Sequence, residues 1–204
     1  LRMALFVPTM LVAVMEAAAK GGHDLTSVQQ VLVGGSMVAP ELWRKARDQF
    51  DAPVGIAYGQ TEASPVISAT LPGDPPEDLM GTVGRAAPHV DVSIRDPQTN
   101  AVVPVGVQGE ICARGYLVLL GYNDDPAATA ATIDAEGWLH TGDLGTMDDR
   151  GYIRVTGRVK EMIIRGAENL FPVEIENALL EHEAIAEVAE VGIPDESWGG
   201  GGAW

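Results

Sequence analysis

A short run that follows an apolar segment, IAYGQTEASP at residues 56–65, holds residues whose types suit phosphate chemistry. Gly59 predicts a tight bend, at which the backbone needs a positive φ or another group lies close to it. Thr61 and Glu62 follow and offer a hydroxyl and a carboxylate side by side. Mg²⁺ binds one or two protein carboxylates together with substrate phosphates, so this pair fits a metal-bound phosphate. The same residue types also occur in plain turns.

A second candidate group lies far along the chain, in GWLHTGDLG at 137–145 and VTGRVKE at 155–161. The carboxylate of Asp143 can accept hydrogen bonds from two neighbouring hydroxyls, which is what a ribose requires. Asp143 also fits an ordinary turn aspartate, and Arg158 fits a solvated charge at a strand end.

The elements that would position the first group alternate between helix and strand. Residues 9–19 predict a helix with Thr9 as N-cap, and Pro40 opens a second helix. VQQVLVGG at 28–35 and the apolar run at 54–57 predict short strands. This alternation favours βαβ units on a parallel sheet, and ligands bind at the carboxyl ends of such strands. The bend at Gly59 is then expected at such an end.

The second half of the chain has a different pattern. VDVSIRD at 90–96 alternates apolar and polar residues, as a half-buried strand does. Short runs at 107–115 and 151–159, separated by glycine and proline, predict a small antiparallel barrel or sandwich. Pro172 and the glutamates after it suit the start of a helix.

These patterns together predict an α/β plus β fold in three parts. Residues 1–70 are expected to form part of a large α/β subdomain with a parallel layer. Residues 71–158 are expected to form a barrel-like β subdomain. Residues 159–204 are expected to hold a hinge and the start of a small α+β domain.

The first nineteen residues allow two interpretations. Arg2, an apolar stretch and then small residues resemble a secretory signal. Pro8 and Glu16 interrupt that pattern, and a buried helix is the interpretation we favour. The run is also shorter than the roughly 20 apolar residues of a membrane span.

Composition limits the classes of partner and metal site. The chain has 29 acidic and 13 basic residues and a formal charge of −16, which disfavours nucleic acid and anionic membranes as partners. The single cysteine, Cys112, rules out an internal disulfide and predicts a reducing compartment, the cytoplasm. The histidines are scattered without metal-ligand spacing, which disfavours a zinc site: His23, His89, His140 and His182.

Three long motifs resemble those of the adenylate-forming superfamily, and they lie at residues 58–62, 121–145 and 149–176. Within this superfamily, the segments GWLHTGDLG and GAENLFPVEIE resemble the acyl-CoA synthetase (fatty-acid–CoA ligase) branch. The resemblance implies that ATP and a carboxylic acid, fatty or aryl, react to an acyl-adenylate and pyrophosphate. Coenzyme A then displaces AMP to give a thioester. It also implies Mg²⁺ as the metal cofactor.

The same resemblance implies a role for each matching residue. Thr61 would bind the α-phosphate and Glu62 the magnesium ion, as the two catalytic residues. Glu62 and Asp143 would therefore converge on one nucleotide, the first at the cation and the second at the sugar. The nucleotide-binding residues would be Gly34, Gly35, Ser36, Tyr58, Gly59, Asp143 and Arg158. Lys160 would be the hinge of a mobile C-terminal domain. The loop at the thiol tunnel would hold Gly166, Ala167 and Glu168.

Departures from the family pattern keep other interpretations open. No Ser/Thr/Gly-rich loop ending in Pro-Lys occurs, and residues 166–204 contain no lysine, although the family uses one there. Glu190 stands where relatives carry an apolar residue. We therefore expect a fragment with little activity of its own. The alternatives are an adenylating enzyme with another acceptor, such as a carrier protein, and a non-catalytic nucleotide-binding module. The oligomeric state is not indicated.

Overall fold

The computed structural model describes residues 2–36, 38–165, 168–170, 172–180, 182, 184–185, 188–193 and 201–203. These residues form a five-stranded mixed sheet, a four-stranded antiparallel sheet and two short hairpins. The combination agrees with the predicted α/β plus β fold.

The first sheet contains the strands β1 to β5 and is covered by helices. The strands are Met3–Phe6, Gln30–Gly34, Val54–Tyr58, Ser68–Ala69 and Arg85–Ala86, in that order across the sheet. The helices are α1 (Pro8–Gly21), α2 (Pro40–Phe50) and α3 (Pro76–Gly81). β1, β2 and β3 are parallel, and β4 and β5 add in antiparallel orientation. The sheet therefore extends to Ala86, past the boundary expected at residue 70.

Helix α1 begins one residue earlier than predicted, and Thr9 is not its N-cap. Pro8 occupies the first helical turn after Val7, which caps the helix with an extended backbone and no side-chain hydrogen bond. Proline suits this position because its φ is preset and its missing N–H would have no partner there. Leu11 and Met15 are buried on the side of α1 that faces the sheet.

The core of the first sheet explains why its central strands are apolar throughout. Val31 and Val33 of β2 are fully buried, since helices cover a parallel sheet. Trp43 of α2 packs in the same core, and its indole N–H donates to the carbonyl of Val54 at 2.9 Å. This hydrogen bond ties α2 to the start of β3, the strand that leads into the bend at Gly59.

The second sheet consists of strands β6 to β9, paired in sequence order. They are Val90–Arg95, Gly109–Gly115, Leu139–Met147 and Ile153–Arg158, and helix α4 (Pro126–Thr132) lies before β8. The expected barrel is thus an open sheet in the described part of the chain, because β6 and β9 are edge strands that do not pair with each other.

An ion pair between a buried aspartate and a half-exposed arginine joins the two sheets. Asp78 of α3 is 1% exposed, and Arg150, in the turn between β8 and β9, donates to both of its oxygens at 2.8 and 2.9 Å. The hydroxyl of Tyr152 donates to Asp74 at 2.8 Å on the same side. The two sheets are therefore fixed against each other, and the space between them has defined walls.

The C-terminal part contains two hairpins and one helix. The strands are β10 (Ile163–Arg165), β11 (Glu168–Leu170), β12 (Val191–Ile193) and β13 (Gly201–Ala203), and the helix predicted from Pro172 is α5 (Pro172–Leu180). Glu190 is buried, and its N–H donates to the carboxylate of Glu176 at 2.8 Å. None of the described helices is both long and apolar enough to cross a membrane.

Asp125→Ala is expected to lower the free energy of unfolding by about 1 kcal/mol, because Asp125 is the N-cap of α4. Its side chain accepts a hydrogen bond from the N–H of Ala128 at 2.8 Å. Urea unfolding of both proteins measures the difference. Asp149→Ala, at an exposed turn aspartate, is the control. Equal changes in the two variants would contradict the capping role.

Candidate functional site

A cavity of about 330 Å³ lies between the two sheets, at the carboxyl ends of β2 and β3. Its walls are formed by the segment after β2, by the ends of β3 and α3, and by parts of β8 and β9. Its lining residues are Gly35, Ser36, Val38, Ile56, Ala57, Tyr58, Gly59, Met80, Gly81, Thr82, Val83, Asp143, Val155, Gly157, Arg158 and Glu161. The cavity thus lies at the edge where parallel α/β sheets bind ligands.

Asp143 is the buried carboxylate of this cavity. It is 6% exposed, and it pairs across the β8–β9 ladder with Arg158. The hydroxyl of Tyr58 donates to its Oδ2 at 2.9 Å, and Nε of Arg158 lies 3.1 Å from its Oδ1. A tyrosine from the first sheet and an arginine from the second therefore fix the orientation of one carboxylate.

Burial is the main influence on the pKa values of Asp143 and Tyr58. It raises the pKa of Asp143 above its ordinary value, while the Tyr58 hydrogen bond and the charge of Arg158 oppose that shift. Burial and the charge of Asp143 also raise the pKa of Tyr58, so its hydroxyl remains a donor. Removing water strengthens the interaction of an ionised Asp143 with a polar ligand.

The bend at Gly59 results from close approach, not from an unusual φ. A side chain at this position would overlap the carbonyl oxygen of Pro65, and Gly59 has no positive φ. The chain folds back here because the N–H of Ile67 donates to the carbonyl of Tyr58 at 2.8 Å. Of the two explanations that the sequence allowed, the structure selects the second.

Thr61 and Glu62 lie in a 3₁₀ turn, Thr61–Ala63, just beyond this bend. The hydroxyl of Tyr122 donates to Oε1 of Glu62 at 3.0 Å, and the N–H of Leu119 donates to the Glu62 carbonyl at 2.9 Å. These two contacts tie the turn to the segment after β7. The hydrogen bond to Glu62 raises the pKa of Tyr122.

The predicted residues divide into those on the cavity and those beside it. On the cavity are Gly35, Ser36, Tyr58, Gly59, Asp143 and Arg158. Gly34, Thr61 and Glu62 do not line it; a side chain at Gly34 would overlap the carbonyl oxygen of Ala57, so Gly34 serves close strand packing. Asp143 and Glu62 are both linked to the end of β3, the first through Tyr58 and the second through the chain.

The remaining predicted residues lie towards the C-terminus. Lys160 is exposed in a short 3₁₀ turn, Val159–Glu161, directly after β9. Glu168 begins β11, which pairs with β10. Gly166 and Ala167 lie outside the described residues, so their proposed place at a thiol tunnel stays a prediction.

Several lining residues carried no sequence signal. Met80, Gly81, Thr82 and Val83 follow the proline-rich loop and form one wall of the cavity. Met80 and Gly81 end α3, and Thr82 and Val83 follow it. Their types suggest no ligand, and only the packing of α3 on β3 brings them to the site.

Glu110, Cys112 and His140 form a cluster that the scattered histidines did not predict. Nδ1 of His140 lies 2.7 Å from Oε2 of Glu110 and 3.6 Å from Sγ of Cys112. The first distance is that of a hydrogen bond, whereas two ligands of a tetrahedral zinc ion stand about 3.3 Å apart. Burial raises the pKa of Cys112 to about 12, which keeps the thiol protonated. The residues fit a hydrogen-bonded cluster and not a metal centre.

Residues 1–123 match the model of one protein family, described as AMP-binding enzyme. The chain belongs to the AMP-binding enzyme family. The chain is 44% identical over 194 residues to YngI of Bacillus subtilis (strain 168), which is named as an acyl-CoA synthetase. The match covers 95% of this chain and 35% of YngI. The chain therefore spans about a third of the length of such relatives.

Solved structures share the fold of this chain. The amide bond synthetase McbA of Marinactinospora thermotolerans has a TM-score of 0.85 at 35% identity, covering 98% of this chain and 40% of McbA. The o-succinylbenzoate CoA synthetase MenE of Bacillus subtilis, in complex with its acyl-adenylate intermediate, has a TM-score of 0.83 at 31% identity, covering 99% of this chain and 40% of MenE. A further MenE structure contains ATP and a magnesium ion.

Proposed function

We propose that this chain forms the nucleotide and acyl site of an ATP-dependent acyl-CoA ligase. Such an enzyme joins a carboxylic acid to AMP with release of pyrophosphate, and then transfers the acyl group to the thiol of coenzyme A. The observation that carries the proposal is the buried carboxylate of Asp143, held by Tyr58 and Arg158 in a cavity between the sheets. The activity is proposed for a protein of the relatives' length.

The polar end of the cavity suits a nucleoside. Asp143 accepts hydrogen bonds from ribose hydroxyls, and Arg158 donates beside it. Tyr58 keeps the carboxylate oriented, and its ring offers an apolar surface to adenine. Because these groups are already in place, little ordering is needed when the nucleotide binds.

The apolar residues of the cavity suit the tail of a carboxylic acid. Val38, Ile56, Met80 and Val83 line it. Each buried CH₂ group of such a tail contributes about 0.8 kcal/mol. An aliphatic or aryl acid is therefore the proposed substrate class.

Glu62 is the residue that would hold Mg²⁺, and Thr61 the α-phosphate. Tyr122 engages one oxygen of the Glu62 carboxylate, and the second oxygen accepts no hydrogen bond from the residues that the structure describes, so it can bind a cation. A hydrogen bond of this kind commonly orients a metal-binding carboxylate. Bound Mg²⁺ supplies positive charge that neutralises the phosphates of ATP.

Binding to the 204-residue chain tests the nucleotide and acyl site. We expect AMP to bind in calorimetry, and a dodecanoyl-sulfamoyl adenosine to bind at least about tenfold more tightly because its tail is buried. Absence of binding by both compounds would contradict the proposal. Equal affinity would keep the nucleotide site and reject the acyl site.

A second candidate function differs only in the acceptor. The likeness to McbA, an amide bond synthetase, favours an amine in place of coenzyme A. The test supplies a protein of the relatives' length with ATP, an acid and either coenzyme A or an amine. A thioester product would favour coenzyme A as the acceptor, and an amide product would favour the amine. Absence of acid-dependent pyrophosphate exchange would favour the non-catalytic alternative. The hinge role of Lys160, the tunnel role of Glu168 and a cytoplasmic location stay predictions.

A further inference from the structure

We propose that Glu110 is a positioning residue that holds the segment His140–Asp143, so that Asp143 meets the ribose of a bound nucleotide. The inference rests on the proposed function and adds to it a residue that lines no part of the cavity. Glu110 belongs to β7, next to the strand that carries Asp143.

The ladder between β7 and β8 is irregular at this point. Glu110 pairs with Leu144 and Cys112 pairs with His140, so three residues of β8 stand opposite Ile111 alone. Such a bulge redirects a side chain away from the regular alternation of the sheet. Here it is Asp143 that lies within the bulge.

A bulge leaves backbone groups without partners in the ladder, and the side chain of Glu110 provides a partner for one of these groups. Its Oε1 accepts the N–H of Gly142 at 2.9 Å, and its Oε2 lies 2.7 Å from Nδ1 of His140. Glu110 is 7% exposed, so these hydrogen bonds are shielded from water. Thr141 adds a second pair: its hydroxyl donates to the Ile111 carbonyl at 2.6 Å and accepts the Asp143 N–H at 3.1 Å.

Loss of these hydrogen bonds is expected to change the direction of the Asp143 side chain more than the stability of the sheet. Gly142 has a φ of 72°, so the bulge depends on an unusual backbone conformation that its hydrogen bonds must maintain. Without Glu110, the Gly142 N–H and the His140 ring lose their shared acceptor. The chain can then relax at Gly142, which turns the Asp143 carboxylate away from the sugar.

The test compares AMP with 2′,3′-dideoxyadenosine monophosphate, which lacks the hydroxyls that Asp143 would bind. We expect the wild-type chain to prefer AMP at least about tenfold, the effect of a hydrogen bond to a charged group. Glu110→Ala is expected to bring this ratio close to one. Glu110→Gln, whose amide oxygen still accepts from Gly142, is expected to lower the ratio about threefold.

The control is Glu190→Gln, at a carboxylate of similar burial (6% exposed) whose oxygens have no hydrogen-bond partner among the described residues. It is expected to keep the wild-type ratio. An unchanged ratio in Glu110→Ala, or in Glu110→Gln where the alanine variant fails to fold, would overturn the positioning role. A wild-type ratio of one would instead reject the ribose assignment of Asp143, and the role of Glu110 with it.

Discussion

Asp143→Ala is expected to weaken AMP binding about a hundredfold or more. A hydrogen bond to a charged group contributes about 1.5–3 kcal/mol, so two such bonds from the ribose hydroxyls to Asp143 account for about a hundredfold, since 1.4 kcal/mol corresponds to a factor of ten. In the wild-type chain, Tyr58 and Arg158 orient the carboxylate before a ligand binds, so its interaction with the ribose is made without further ordering. The alanine variant loses this interaction completely.

Asp143→Ala should change the free energy of unfolding much less than it changes the affinity for AMP. Burial raises the pKa of Asp143, so its ionised form is less favourable in the folded chain than in the unfolded one. As the pH rises through this raised pKa, ionisation lowers the free energy of unfolding. The alanine variant escapes that cost at neutral pH. It loses the acceptor of the Tyr58 hydroxyl, about 1 kcal/mol, and the ion pair with Arg158, which contributes little because the arginine is exposed. We expect a change within about 1 kcal/mol.

Calorimetry with AMP and urea unfolding measure the two quantities separately. The matched control is Asp91→Ala, which also removes an aspartate paired with an arginine across an antiparallel ladder. The Asp91–Arg114 pair is exposed, and neither residue lines the cavity. AMP affinity should be unchanged in the control. Similar losses of affinity in both variants would count against the assignment of Asp143 to the ribose.

Gly59→Ala is expected to lower the free energy of unfolding by about 3 kcal/mol, at the upper end of the range for overpacking. The new methyl group would meet the carbonyl oxygen of Pro65, a backbone atom that cannot rotate away. Moving it would disturb the hydrogen bond between Ile67 and Tyr58, and with it the pairing of β3 with β4. Tyr58 would shift with the strand, so AMP affinity should fall as well.

Urea unfolding midpoints and AMP titrations check this expectation. Gly106→Ala separates steric from conformational cost, because Gly106 has a φ of 80° and open space where a side chain would stand. That variant should lose only about 1 kcal/mol, the cost of the left-handed conformation for a non-glycine residue. Equal losses in the two variants would show that close packing is not what requires glycine at position 59.

The sequence predicted local features well, because each follows from neighbouring residues. The apolar run at 54–57 forms β3, the alternating segment at 90–96 forms β6, and proline marks the starts of α2 and α5. Thr9 was the exception. A favourable capping residue and a favourable proline stood next to each other, and the proline determined where the helix begins.

The candidate site was only partly accessible to the same reasoning. Motif residues such as Tyr58 and Asp143 were recognised one by one, yet their hydrogen bond joins residues 85 positions apart in the chain. Glu110 was not singled out, since a glutamate in a strand is ordinary until the bulge opposite it is known. The contact between Glu62 and Tyr122 likewise needed the segment after β7 to be placed.

The amino-acid sequence by itself determined the order of the strands and helices, the close approach or special backbone at Gly59, and the residue types available for nucleotide chemistry. Only the tertiary structure decided that Asp143 is buried between two sheets and that the Gly59 bend needs space instead of a positive φ. It also decided that Glu110 serves the backbone of β8. The reason is physical: periodicity and propensity act over a few residues, whereas burial, strand register and hydrogen-bond partners arise from distant segments packed together.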